Sequence, residues 1–198
     1  MLGSVLAGLV FGLLLGQRPS IHAWLGWVGG TPSAVEAPLA SDSPPARELP
    51  PADLPANARA AVVVNVHDGD TVRLRLPDGQ VEKVRLTDID APEKHQPYGI
   101  AATEELDGLL HRGEVYFRAY ERDRYGRMVA RLYVETDGRV IDVNREMVRR
   151  GAAWYYGRYA RDRSLREIQQ AAKAANAGLW AEEEGPAEPP WEERRGNR

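Results

Sequence analysis

The pattern that most constrains the fold lies between Val72 and Leu76, where apolar residues alternate with arginines. Successive side chains of a β-strand point to opposite faces, so this pattern predicts a strand with one buried face. The next three residues, Pro77-Asp78-Gly79, predict a turn, because proline fixes φ and glycine tolerates a positive φ. A return strand is predicted from Val81 to Ile89. Residues 72–89 should therefore form two strands joined by a tight turn.

The rest of the central region alternates short strands with helices. Further strands are predicted at 61–66, at about 114–121 and at 127–135. Helices are predicted from Ile100 to near Gly113, from an Asp142 cap to Gly151, and from a capping box at Ser164–Glu167 to Gly178. Several short strands, one interrupting helix and a helical end predict a mainly β fold with helices (α+β), built as a small barrel with helices packed on it.

The length of the chain suits one domain with appendages. Residues 1–27 begin with a run, 1–16, that has no charged side chain and predicts either a membrane anchor or a signal peptide. The anchor is favoured, because the basic segment that begins most signal peptides is absent; both readings place the protein outside the cytoplasm. Residues 28–59 predict a Pro/Ala-rich linker, 60–180 the folded domain, and 181–198 a disordered acidic tail.

Composition excludes several kinds of chemistry. The chain has no cysteine, and hence no disulfide or thiol nucleophile, and its four histidines form no HxH or HxxxH pair. The net charge is −3, yet residues 112–166 hold fourteen Arg against eight Asp or Glu. A basic region of this kind suits a polyanionic partner, and ordinary solvated strand and helix faces explain it equally well.

The first of three charged motifs is Asp68-Gly69-Asp70-Thr71, at the junction of two predicted strands. Two carboxylates around a glycine turn offer the oxygen ligands that a hard cation requires. Asp-Gly is also a common hairpin turn, so a purely structural role is the alternative.

The second motif runs from Arg85 to Glu93 (RLTDIDAPE), and the third from Asp123 to Arg127 (DRYGR). Strand alternation turns Arg85 outward, and two acids, Asp90 and Glu93, fall at the end of the strand, where Pro92 stops the ladder. The guanidinium of Arg127 can contact two phosphate oxygens at once. A surface ion-pair cluster and an exposed turn arginine are the respective alternatives. A further acid, Asp88, is expected to face solvent.

Together, DGDT, RLxxxDxPE and DRYGR, in this order, resemble the staphylococcal nuclease (thermonuclease) family. The resemblance covers about residues 60–180. It implies an OB-type five-stranded barrel with about three helices, and an enzyme that cleaves DNA and RNA with little sequence preference, leaving 3′-phosphate ends. It also implies a single Ca²⁺ cofactor, which suits oxygen ligands better than zinc or copper does.

The resemblance also implies a role for each residue that matches the motifs. By position, the calcium ligands are Asp70, Asp90 and the carbonyl of Ala91, with Asp68 just outside them. Arg85 and Arg127 hold the scissile phosphate, and Glu93 is the general base that activates water.

Two features differ from the family or match it only in part. The loop that follows Glu93, residues 94–99, is short, which affects how substrate is held. The aromatic residues Trp154, Tyr155, Tyr156 and Tyr159 partly match tyrosines near the bound nucleotide. Base stacking is predicted for Trp154 and Tyr156, with core packing as the alternative for two of the four.

The alternative function is a catalytically inactive OB-type module, tethered to the membrane, that binds nucleic acid or a protein. Inactive copies typically lose an acid or an arginine, whereas all five residues of the predicted machinery are present here: Asp70, Arg85, Asp90, Glu93 and Arg127. The prediction is therefore a nuclease with DNA or RNA as substrate, attached to the membrane through residues 1–27, and without a stable protein partner.

Overall fold

The computed structural model describes residues 52–158, 160–181 and 188–196. The predicted anchor and nearly all of the predicted linker lie outside these residues. The strands are β1 Arg59–Asp68, β2 Thr71–Arg75, β3 Val81–Leu86, β4 Ile89–Asp90, β5 Glu114–Arg122, β6 Met128–Thr136, β7 Arg139–Asp142 and β8 Trp154–Tyr155. The helices are α1 Gly99–Leu110, α2 Val143–Arg149, α3 Leu165–Ala174 and α4 Pro190–Gly196, with a 3₁₀ turn at Gly178–Ala181.

Five strands close into a barrel in the order β3-β2-β1-β5-β6. Neighbours along this order are antiparallel, and a parallel pairing of β3 with β6, which sets Arg85 opposite Val129, closes the ring. β7 extends the sheet beyond β6, and β4 pairs with β8 in a separate two-stranded ribbon. The predicted OB-type α+β barrel is confirmed.

The core follows the alternation in the sequence. Val72 and Leu74 are fully buried inside the barrel, while Arg73 and Arg75, which alternate with them, are exposed. One end of the core is covered by α1, whose Ala102, Leu106 and Leu109 are all buried. This covering helix lies directly behind the turn between β1 and β2, and so fixes the position of that turn.

The two later helices begin differently from one another. The side chain of Asp142 accepts a hydrogen bond from the Arg145 N–H, which confirms the predicted cap of α2. At α3 the predicted capping box is wrong, because Ser164 makes no side-chain cap. Its hydroxyl donates to Asp162 Oδ1 at 2.6 Å, and its oxygen accepts from Arg145 Nη1 at 2.8 Å in place of a helix amide.

Residues 190–196 form α4, although the composition of the tail predicted no regular structure. The helix is attached through Trp191, whose ring lies 6.3 Å from that of Trp154 and 5.3 Å from that of Tyr156. An aromatic side chain buries a large apolar area, which offsets the entropy lost when a polar segment becomes ordered.

Candidate active site

Two buried carboxylates meet at one guanidinium. Arg85 Nη2 lies 3.0 Å from Asp70 Oδ2 and 2.6 Å from Asp90 Oδ1. The antiparallel register of β2 with β3 sets Thr71 opposite Arg85, which brings the start of β2 beside the arginine. Asp90 is only 1% exposed and Asp70 6%. The structure thus brings together three of the residues that the first two motifs supply.

The Asp68–Thr71 turn is both a hairpin turn and part of this site. It joins β1 to β2, with Asp68 opposite Thr71, and Asp68 Oδ1 accepts a hydrogen bond from the Asp70 N–H. Gly69 is required by packing, because a Cβ there would lie 2.7 Å from Ala91 Cβ and 2.9 Å from Ala102 Cβ. The structural role of this motif is therefore confirmed, and its role in holding a cation stays a prediction.

The backbone beyond β4 locks the first two motifs together. The Ala91 N–H donates to Asp70 Oδ2 at 2.8 Å, so this chain segment is fixed against the turn. Three residues after Asp90, the Glu93 N–H donates to Gln96 Oε1 at 2.7 Å. The Glu93 side chain is 40% exposed, so its carboxylate is accessible to water, and Oε1 accepts a hydrogen bond from Arg194 Nη1 at 3.1 Å.

Burial governs the electrostatics of the acids. Burial raises the pKa of Asp90 to about 6 in spite of the nearby Arg85. Burial, together with the charge of Asp70, likewise raises the pKa of Asp68 to about 6. Both shifts follow from burial, which disfavours the charged form of a carboxyl group, and a nearby cation favours that form.

The oxygen atoms of Asp70 and Asp90 are of the chemical type that a hard cation binds. The carboxylates of Asp70 and Asp90 both reach one nitrogen of Arg85, and the backbone at Ala91 adjoins them. Within the described ranges, no group of three or more His, Cys, Asp or Glu residues converges as a complete side-chain metal site would require. A cation held here would therefore depend on water, backbone or substrate oxygens for its remaining ligands, as Ca²⁺ and Mg²⁺ commonly do.

Arg127 lies just before β6, and its described polar contacts are with Asp123, so its place beside the acidic pair stays a prediction. It precedes Met128, which is opposite Val84 at the parallel seam between β3 and β6. Arg127 Nε donates to Asp123 Oδ2 at 2.7 Å and its N–H donates to Asp123 Oδ1. Burial alone would raise the pKa of Asp123, but these hydrogen bonds outweigh it and lower that pKa. The Asp123–Gly126 turn thus orients the guanidinium.

The aromatic residues expected near a nucleotide lie against one another. Trp154 is 4% exposed and packs edge-on to Trp180 at 5.9 Å, so this residue belongs to the core. Tyr156 is partly buried and faces Trp191 of α4. Tyr155 is partly buried and packs against the main core, and Tyr159 lies outside the described residues. Nucleotide stacking on Trp154 and Tyr156 stays a prediction.

The expectation that Asp88 faces solvent is wrong. Its carboxylate is buried, where it accepts hydrogen bonds from Arg131 Nη2 at 3.0 Å and from the Arg161 N–H at 2.7 Å. Asp88 has a positive φ of 65°, which turns the chain between β3 and β4. It therefore holds the approach to Asp90 in place. Strand alternation could not show this, because a turn interrupts it.

Two residues of the site environment were missed from the sequence. Asn144 is fully buried, accepts a hydrogen bond from the Leu132 N–H and donates one to the Thr87 carbonyl, which ties α2 to both β6 and the β3–β4 turn. Arg194 of α4 contacts Asp90 and Glu93. A tryptophan inside an otherwise polar tail was the only signal that could have indicated such docking.

Comparison with known proteins gives a consistent family. A sequence model described as "Staphylococcal nuclease homologue" matches residues 83–182, which include Arg85, Asp90, Glu93 and Arg127. An uncharacterised endonuclease of Escherichia coli O157:H7 is 40% identical over 129 residues, covering 65% of this chain and 80% of that protein. A micrococcal nuclease of Shigella flexneri is 36% identical over 143 residues, covering 69% of this chain and 80% of that protein.

A third relative extends the similarity to another genus. An uncharacterised endonuclease of Haemophilus influenzae is 37% identical over 127 residues, covering 64% of this chain and 68% of that protein. The closed barrel and the buried acid pair on Arg85 agree with these matches. The chain therefore belongs to the staphylococcal nuclease family of phosphodiester hydrolases.

Proposed function

We propose that this chain is a calcium-dependent nuclease that hydrolyses DNA or RNA with little sequence specificity and leaves 3′-phosphate ends. The observation that carries the proposal is the convergence of Asp70 and Asp90 on Arg85, with Glu93 close by along the chain. These are the residue types that attack of water on a phosphodiester needs: a base, a guanidinium, and acids that hold a cation.

The residues would divide the work as follows. Asp70, Asp90 and the Ala91 carbonyl would hold the ion, with Asp68 supporting the turn. A bound calcium ion would supply positive charge beside the scissile phosphate.

Glu93, whose carboxylate is solvent-accessible, would take a proton from the attacking water. Arg85 and Arg127 would neutralise charge that builds up on the phosphate oxygens, and each such donor is typically worth about 10²–10³ in rate. Contacts to the phosphate backbone carry no base information, which accounts for the low sequence specificity.

The first experiment is digestion of single-stranded DNA, duplex DNA and RNA by the full chain, with calcium and with excess chelator. The Glu93→Gln variant is the control for contaminating nucleases. We expect cleavage that requires calcium, is lost in the variant, and yields ends that primer extension accepts only after phosphatase treatment. A folded, calcium-binding protein that cleaves none of the three substrates would favour the inactive OB-type binding module.

We propose further that residues 1–27 anchor the enzyme outside the cytoplasm, with cleavage as a signal peptide as the alternative. The support is the uncharged run 1–16. Among the described residues, none of the helices is long and apolar enough to cross a membrane. Fractionation of cells expressing the full chain tests this: the protein should stay with the membrane after a carbonate wash. Release at reduced mass would indicate cleavage, and recovery in the cytoplasm would contradict export.

A further inference from the structure

A guanidinium from the C-terminus occupies the acids of the active site. Arg194 Nη2 lies 2.5 Å from Asp90 Oδ2, and Arg194 Nη1 lies 3.1 Å from Glu93 Oε1. Arg85 holds the other oxygen of Asp90. Both oxygens of a side chain that is only 1% exposed are therefore bound by arginines, and one oxygen of the proposed base is bound as well.

Two more contacts hold the same segment over the site. Trp191 packs on Tyr156 at 5.3 Å between ring centroids, with the planes tilted by 40°. The carbonyl of Glu188 accepts a hydrogen bond from Gln96 Nε2 at 3.2 Å, and the other end of that amide accepts from the Glu93 N–H. We call residues 188–196 the C-terminal strap. Its contacts fall on the proposed metal ligand, the proposed base and a proposed nucleotide-stacking residue.

We propose that the C-terminal strap is an autoinhibitory element, in which Arg194 competes with the calcium ion for Asp90 and Trp191 competes with a nucleobase for Tyr156. The inference rests on the proposed function of the same site. One oxygen of Asp90 cannot bind a guanidinium and a cation in the same geometry, and the two positive charges repel each other. The strap also offers an aromatic ring where a base would stack.

The contacts of the C-terminal strap are weak enough for it to dissociate from the active site. Its helix has only seven residues, and the pair of Arg194 with Glu93 is exposed on both sides, so water and salt weaken that pair. A bound strap lowers the apparent affinity for calcium in proportion to the fraction of molecules in which Asp90 is free. Calcium and nucleic acid together would displace both of its anchors.

The test is a calorimetric calcium titration of the full chain without nucleic acid, comparing the wild type with Arg194→Ala. Arg195→Ala is the matched control, because it removes the same charge from the same helix and Arg195 pairs only with Glu192 in the described contacts. If the strap competes, Arg194→Ala lowers the Kd for calcium by about fivefold to tenfold, whereas Arg195→Ala leaves it within about twofold.

A second variant tests the other anchor. Trp191→Ala keeps Arg194 but removes the ring from Tyr156, and it should shift the Kd for calcium in the same direction. If the wild type and Arg194→Ala bind calcium with equal affinity and have the same circular dichroism spectrum, the proposal of autoinhibition by the strap is wrong. A loss of cleavage in Arg194→Ala at unchanged calcium affinity would also contradict it, because Arg194 would then be a phosphate contact.

The outcomes separate the strap from the function on which it rests. If Arg194→Ala binds calcium more tightly but neither protein cleaves nucleic acid at saturating calcium, the autoinhibition proposal is supported and the proposed nuclease function is excluded. If cleavage depends on calcium but the wild type and Arg194→Ala bind calcium with equal affinity, the nuclease function is supported and autoinhibition by the strap is excluded. No calcium binding by any of the proteins would overturn both.

Discussion

The backbone N–H of Ala91 donates a 2.8 Å hydrogen bond to Asp70 Oδ2, across 21 positions of the chain. This bond fixes the turn between β1 and β2 against the end of β4, and so sets the spacing of the two buried acids. The site is therefore preorganised by the backbone as well as by the ion pairs with Arg85.

Replacing Asp70 by Asn should separate the charge of this residue from its role in holding the turn. An amide oxygen can still accept from Ala91, so the fold should survive, while the loss of a negative ligand weakens calcium binding by about tenfold or more. Calorimetry measures the affinity, and urea denaturation checks the fold. Unchanged calcium affinity would exclude Asp70 as a ligand.

Glu93→Gln should remove most turnover and keep calcium binding. General base catalysis contributes typically about 10²–10⁴ in rate, and glutamine cannot take a proton. The measurement is kcat on a short oligonucleotide at saturating calcium, beside a calcium titration of the same protein. A rate near that of the wild type would exclude Glu93 as the base.

Arg127→Lys should lower kcat by about 10²-fold, since lysine offers a point charge instead of a planar fork and also loses the Nε bond to Asp123. Arg124→Lys is the matched control, because Arg124 lies in the same turn and its described contacts are with Tyr125. Equal losses in the two variants would show that the general charge of the turn matters and the position does not.

Gly69→Ala should destabilise the fold by about 1–3 kcal/mol, as overpacking of a tight interior commonly does. The added Cβ would press on Ala91 and Ala102, both of them buried. Gly108→Ala provides the contrast. It lies inside α1 with nothing within 4 Å of its Cβ position, and should stabilise the fold by about 0.5–1 kcal/mol. Urea denaturation measures both, and a neutral Gly69→Ala would show that α1 can shift.

The barrel could be predicted from the sequence because strand alternation is a local signal. Val72 and Leu74 indicated their buried face without knowledge of any partner strand. The convergence of the three motifs on one site came from the family resemblance, and the structure brings Asp70, Arg85 and Asp90 into contact.

Contacts between distant segments were not predictable in this way. The pairing of Asp88 with Arg131 depends on a positive φ in a turn and on a partner 43 positions away, which no period in the sequence encodes. At Ser164 the capping pattern was present, but the hydroxyl oxygen accepts a hydrogen bond from Arg145, 19 positions away, and not from a helix amide. The docking of Arg194 on Asp90 spans 104 positions, and the acidic composition of the tail hid it.

The parallel seam between β3 and β6 also has a consequence for the order of events during folding. It is the only parallel pairing within the five-strand ring described above, and β4, α1 and β5 lie between its two strands along the chain. Only the pairing of β1 with β5 in this ring joins segments that are farther apart in sequence. Pairings between distant segments form slowly, because chain entropy is lost on closing the loop before the stabilising contacts have formed. Arg85 lies in β3 and Arg127 just before β6, so a nascent chain carries both arginines of the proposed site before the seam holds them in place. Activity would then appear only when the ring closes. The rate at which cleavage recovers after dilution from denaturant would therefore report the rate of ring closure.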